Sequence, residues 1–194
     1  MKAILFILPI LFLQLYAHSQ IQINEIMSAN DDIIFDEDGD TPDWIELYNS
    51  SDTTICLDQW HLSDNFDQRT KWRLHDTCIQ AHSYILIWAS GKSRSGNSLH
   101  TNFRLRGSGE NLILSDPAGR LIERMIFPPL EDNVSYGKAR DGSLNATLLS
   151  PSPGHPNSAA ADYGDLLIRF ETDTFFYKDN LLINIQASDS CEQL

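Results

Sequence analysis

The sequence is short of positive charge: 14 Lys and Arg stand against 27 Asp and Glu, a formal net charge of −13 over 194 residues. Phosphate contacts need a surplus of cations, so nucleic acid is not an expected partner. Cysteine is scarce too, at three residues, and neither it nor the six histidines make C-x2-C, H-x-H or H-x3-H spacing. A zinc centre therefore lacks support. His61, His75, His82, His100 and His155 read as surface or hydrogen-bonded core residues. The motifs G-x-S-x-G and G-x4-G-K-[ST] are also missing; "GKSRSG" and "RGSGE" are glycine-serine loops without the strand-to-helix context of a nucleophile or phosphate site. Nowhere do apolar residues hold i, i+3, i+4, i+7 spacing for three turns, which argues against amphipathic helices.

What is present begins with "MKAILFILPILFLQLYAHS". One cation, a short apolar run and Ala17-His18-Ser19 fit a signal peptide cleaved before Gln20. Residues 1–19 are therefore excluded from the fold, and the expected location is secreted, periplasmic or at the cell surface. The run is short for a bilayer span, which takes about 20 apolar residues. An uncleaved anchor is the alternative. No membrane-spanning segment is expected after the leader.

The rest reads as short β-segments punctuated by turns. Strands are expected at 21–27, 44–51, 55–64, 70–76 and 83–90, and at 110–115 and 120–127. The last two are joined by the turn Asp116-Pro117-Ala118-Gly119 into a hairpin. Trp44, Trp60, Trp72 and Trp88 are spread over these segments as core rings, with Trp72 the one that could instead stack on a ligand. Antiparallel short strands of this kind indicate an all-β sandwich or barrel. Residues 151–165, rich in Pro, Gly, Ser and Ala, read as a linker. A further β-like pattern in 166–194 is too short to bury a core of its own.

Three groups could carry chemistry. The stretch "FDEDGDTPDWIELYN" (35–49) offers Asp36, Asp38, Asp40 and Asp43 as oxygen ligands for calcium. Counted from Asp36, the EF-hand template fails, because Thr41 and Leu47 stand where Gly and Glu belong. A solvated acidic turn entering a strand is the competing reading. Glu25 and Glu46 sit inside strand candidates and could be buried side by side, or could face solvent or pair with Arg. Cys56 and Cys78 lie in two short β-like segments 22 residues apart, as a disulfide or as two buried thiols, with Cys191 left over. The bases between Lys92 and Arg140 could form a face opposite in sign to residues 31–43, or alternate around a solvated surface.

The ordered blocks "INEIM", "DEDGDTPDWIELYN", "LDQWHLSD", "YILIWASGK", "LHTNFRLRGSGENLILSDPAGRLIE", "SYGKARDGS" and "SPSPGHPN" resemble the secreted bacterial lamin-tail domains. These are relatives of the immunoglobulin-like tail of nuclear lamins. The resemblance covers roughly residues 21–157 and implies an immunoglobulin-like β-sandwich over 20–157, a linker over 158–165, and the incomplete start of a second β-domain over 166–194. That last segment is similar to the opening of chitobiase/β-hexosaminidase C-terminal-like domains. The implied role is non-catalytic, with no cofactor beyond optional calcium. It is an interaction, anchoring or presentation module whose partner is a protein, a cell-surface polysaccharide or a neighbouring domain. The alternative is an accessory part of a larger extracellular enzyme, such as a spore-coat protein H-like kinase, a nuclease or a phosphatase.

Overall fold

The computed structural model describes residues 19–157. The leader expectation, the 158–165 linker, the 166–194 segment and Cys191 fall outside these residues, apart from Ser19 at the leader's end. Eleven strands form within them: β1 (Ile21–Met27), β2 (Trp44–Asn49), β3 (Ile55–Cys56), β4 (His61–Ser63), β5 (Trp72–Arg73), β6 (Cys78–Ile79), β7 (Tyr84–Trp88), β8 (Glu110–Ser115), β9 (Leu121–Phe127), β10 (Ser135–Lys138) and β11 (Ala146–Leu149). A five-stranded sheet in the order β11-β10-β1-β2-β7 and a four-stranded sheet β5-β4-β8-β9 are joined by the small β3-β6 ladder. All named strand pairs are antiparallel. No α-helix occurs among the described residues.

Alternation places Ile21, Ile23, Ile45, Leu47 and Ile87 of the first sheet against Leu62, Leu112, Leu114, Met125 and Phe127 of the second, in one core cluster. Each fully buried Leu or Ile contributes roughly 1.5–3 kcal/mol before chain entropy is counted. Trp72 belongs to this core at 6 % exposure, which removes it as a ligand-stacking ring. The 55–64 and 70–76 segments break into shorter strands than expected, because Leu57, Trp60 and Leu74 bond each other across a turn. Cys56 and Cys78 face each other in the β3-β6 ladder and form a disulfide. A bridge across 22 residues adds roughly 3 kcal/mol.

One irregularity positions the chemistry. The β1-β2 register slips between Ile23 and Glu25, so Asn24 is the extra residue of a β-bulge. An unbroken alternation from Ile21 would turn Glu25 inward and Ile26 outward. The bulge instead keeps Ile26 in the core and turns Glu25 to the outer face of the sheet, opposite Glu46. Gly137 of β10 lies so close to the bulge that a Cβ there would stand 2.2 Å from the Asn24 carbonyl oxygen. The displaced Ile23 N–H is taken up by the Glu123 carboxylate of β9 at 2.7 Å, itself paired with Lys138 at 2.5 Å.

Candidate functional site

The acidic loop folds around its own first carboxylate. Asp36 is 7 % exposed, and its Oδ1 accepts the N–H groups of Asp38 and Asp40 at 3.0 and 2.9 Å. This is an Asx-type turn completed by Gly39 at φ 83°. Three carboxylates thereby converge, each offering an oxygen within 4.8 Å of the others. The Lys92 ammonium stands among them, 2.5 Å from Asp36, 2.7 Å from Asp38 and 2.8 Å from Asp40. Arg94 reaches Asp38 at 2.7 Å and Glu37 at 3.2 Å. Behind them His100, fully buried, holds Glu37 at 2.9 Å through Nε2 and the Ser90 hydroxyl at 2.9 Å through Nδ1.

The charges answer one another. Asp36 is drawn upward by burial, but the Lys92 hydrogen bond and the Asp40 and Asp38 N–H groups prevail and hold it below the ordinary carboxylate range. Lys92 and then Arg94 hold Asp38 down. Glu37, bonded to its own N–H against the pull of burial and further stabilised by His100, falls to about 2. Lys92 rises above its usual value, through Asp36 first and then Asp38 and Asp40. Asp43 does not join the group. It is turned toward the Leu105 N–H at 3.1 Å, and burial lifts its carboxyl to about 6. Of the four residues nominated for calcium, three thus come together, around a protein cation. A cavity of about 410 Å³ beside them is lined by both signs of charge, including Asp40, Asp43, Lys92 and Arg104.

A second acidic centre lies on the outer face of β1 and β2. Glu25 and Glu46 are directly opposite each other and fully buried, and neither has an Arg or Lys partner among the described residues. Hydrogen bonds replace the counter-ion. Glu25 accepts from the Ser135 hydroxyl at 2.5 Å and from the Ser152 N–H and hydroxyl at 3.1 and 3.0 Å. Glu46 accepts from the Asn24 amide at 3.0 Å and the Gly154 N–H at 2.6 Å. Asp141 closes the group, accepting from Asn24, from the Asn157 N–H and from the Tyr84 hydroxyl. Burial raises Glu46 to about 7, against its hydrogen bonds and reinforced by Glu25 and Asp141; burial raises Glu25 as well.

The first half of the 151–165 stretch is therefore not linker. Ser152 and Gly154 are fastened to the two glutamates, and Asn157 donates to the Asn24 and Lys138 carbonyls at 3.1 and 2.8 Å. Its composition reads as flexible because Pro and Gly leave few side chains to pack. Here the backbone N–H groups of Ser152, Gly154 and Asn157 make contacts alongside the Ser152 hydroxyl and the Asn157 amide.

The lamin tail domain family model matches residues 14–127. The chain belongs to the lamin tail domain family. No curated protein matches the sequence. The two sheets packed on one core are the immunoglobulin-like sandwich of this family, as the sequence resemblance implies. The matched span holds β1 to β9, with Asp36–Asp43, Lys92 and His100. Strands β10 and β11, the turn between them and residues 152–157, here the exit segment, lie beyond it, and they supply Ser135, Asp141, Ser152, Gly154 and Asn157 to the buried centre.

In this lamin tail domain, the acidic loop acts as an electrostatic clasp that draws residues 36–40 onto residues 92–100. The Glu25/Glu46 pair is suited to holding protons and backbone donors, not to attacking a substrate. Both carboxylates are sealed beneath the exit segment, whereas acid/base catalysis needs reach to a substrate proton. Ser135, Asp141 and the exit-segment residues escaped sequence reading, and only the "SYGKARDGS" and "SPSPGHPN" blocks of the resemblance touched them.

Proposed function

We propose that this lamin tail domain is a non-catalytic module that anchors or presents a partner, carried outside the cytoplasm to the cell surface by the leader at residues 1–19. The carrying observation is the fastening of Ser152–Asn157 to the buried carboxylates and to the Asn24 and Lys138 carbonyls. That fastening fixes residues 152–157 on the sandwich, which suits presentation of whatever the module carries. The acidic loop supports the same reading, since its carboxylates are occupied by Lys92 and Arg94 instead of standing free around a reactive centre. Calcium, in this reading, stabilises the loop only where it displaces Lys92.

The test is expression of the full chain with a C-terminal epitope in a secreting bacterium. The expected product begins at Gln20 and is reached by protease added outside the cell. An epitope retained in the cytoplasm on a chain that keeps Met1 overturns export. Turnover of phosphate-ester, phosphodiester or glycoside substrates by the purified chain, lost on Glu25→Gln, overturns the non-catalytic assignment.

A further inference from the structure

A groove of about 280 Å³ is lined by Lys71, the β5 residues Trp72 and Arg73, and His75, together with residues 93–95. β5 is the end strand of the four-stranded sheet, so one side of its backbone has no strand partner there. The groove contrasts with the rest of this acidic chain: its lining carries Lys71, Arg73 and Arg94 and contains no carboxylate. Arg73 is exposed and has no carboxylate partner among the described residues. Its guanidinium lies against His75, 3.3 and 3.4 Å from the ring nitrogens, which orients the fork without neutralising it. The flanking cations are held in place from behind, Lys71 by Asp64 at 2.6 Å and Arg94 by Asp38 at 2.7 Å. Ser93 and Ser95 add two hydroxyls to the opposite wall, and Ser93 adopts φ 52°, a left-handed conformation uncommon for serine.

We infer that this groove binds the sulfate or phosphate group of a sugar ester. A planar guanidinium presents two parallel N–H donors to a tetrahedral oxyanion, and charge-assisted bonds of this type are the strong ones. Arg73 supplies the unpaired charge and takes the anion bidentately, the Ser93 and Ser95 hydroxyls donate to its remaining oxygens, and Lys71 and Arg94, whose charges Asp64 and Asp38 already offset, add N–H donors. The volume exceeds what the oxyanion fills, and the polar walls suit a hydroxylated ring. Because Arg94 also holds Glu37 and Asp38, the bound anion and the acidic loop draw on one cation. The site does not depend on the presentation reading above.

The experiment follows backbone amide shifts of the full chain while glucose 6-sulfate, glucose 6-phosphate and inorganic phosphate are added at constant ionic strength, with sodium chloride as the reference salt. Saturable shifts confined to residues 71–75 and 93–102 are expected. Arg73→Glu and Arg73→Ala, with melting unchanged, should weaken binding roughly tenfold or more. Arg124→Glu, a cation on β9, should leave it unchanged. A preference for one ester over inorganic phosphate supports the site and identifies the group recognised, and equal response to inorganic phosphate overturns the sugar-ester assignment. Shifts that do not saturate, that chloride reproduces, or that Arg124→Glu reduces as much as Arg73→Glu overturn the site.

Discussion

At one end of the five-stranded sheet Asp36, Asp38 and Asp40 share the Lys92 ammonium; at its centre Glu25, Glu46 and Asp141 share hydrogen bonds without a cation. The difference follows from depth. Asp38, Asp40 and Lys92 keep contact with water around the buried Asp36, so bringing a cation to that group costs less desolvation than it would beneath the sheet's outer face. In the interior a second charge would have to be stripped of water as well, so the carboxylates keep to neutral donors and their affinity for protons rises. One domain therefore contains acids held below their ordinary range and acids pushed above it, a few residues apart in sequence.

The largest effect should come from breaking the scaffold of the buried centre. Gly137→Ala puts a Cβ against the backbone of the Asn24 bulge and is expected to cost roughly 4 kcal/mol or to prevent folding. Gly39→Ala in the acidic loop meets open space and only its φ of 83° opposes it, about 1 kcal/mol. Denaturant titration of both variants would show the ratio; equal losses would mean the bulge is not a fixed feature.

Next is Glu46→Ala at pH ~5, which strands the Gly154 N–H and leaves the Asn24 amide with Asp141 alone. The expected loss is roughly 3 kcal/mol, with faster hydrogen exchange in 152–157. Loss of stability with unchanged exchange there would separate the exit segment from the carboxylates.

The pH profile then sets the two regions against each other. Glu46 rises from 4.5 to about 7 and Asp43 from 3.8 to about 6 on folding, so their contribution is complete below those ordinary values and is lost as pH rises through the folded ones. For Glu46 the loss is on the order of 3 kcal/mol. Glu37, Asp36 and Asp38 are lowered, so theirs is present above the ordinary values and is lost as pH falls toward about 2. The melting temperature should peak at about pH 4, between the ordinary values of the two sets, and decline on both sides. Glu46→Gln should flatten the alkaline limb and Lys92→Ala the acid limb. A monotonic profile would contradict the opposed signs.

The smallest effect is expected from Lys92→Ala at neutral pH, a fall in Tm of a few degrees. Removing the ammonium leaves three convergent carboxylates, so added calcium should restore the variant while leaving the parent chain unchanged. A response to calcium and chelator in the parent would mean that the ion displaces Lys92.

The hairpin of β8 and β9 was legible because turn and alternation are local: Asp116–Gly119 closes as expected, with the Gly119 N–H on the Asp116 carbonyl at 2.9 Å. The Cys56–Cys78 pair was legible as a choice between two states, which their ladder register decides. The Asp36–Asp40 convergence was visible as spacing, but Lys92 was not visible as its occupant, because 52 to 56 residues intervene. Glu25 and Glu46 could be suspected of adjacency, yet their burial depends on a segment more than 100 residues away. Strands β10 and β11 escaped pattern reading; they are four residues each, and "SYGK" carries little alternation.

By itself the sequence determined the all-β class, the main strands with their inward faces and the acidic turn. These depend on side-chain period and turn chemistry within a few residues. Tertiary structure alone decided which acids are held below their ordinary range and which are pushed above it. A carboxylate's state is set by its depth and by the donors that reach it, and Lys92, Ser135, Ser152 and Gly154 reach theirs only once the sandwich has closed.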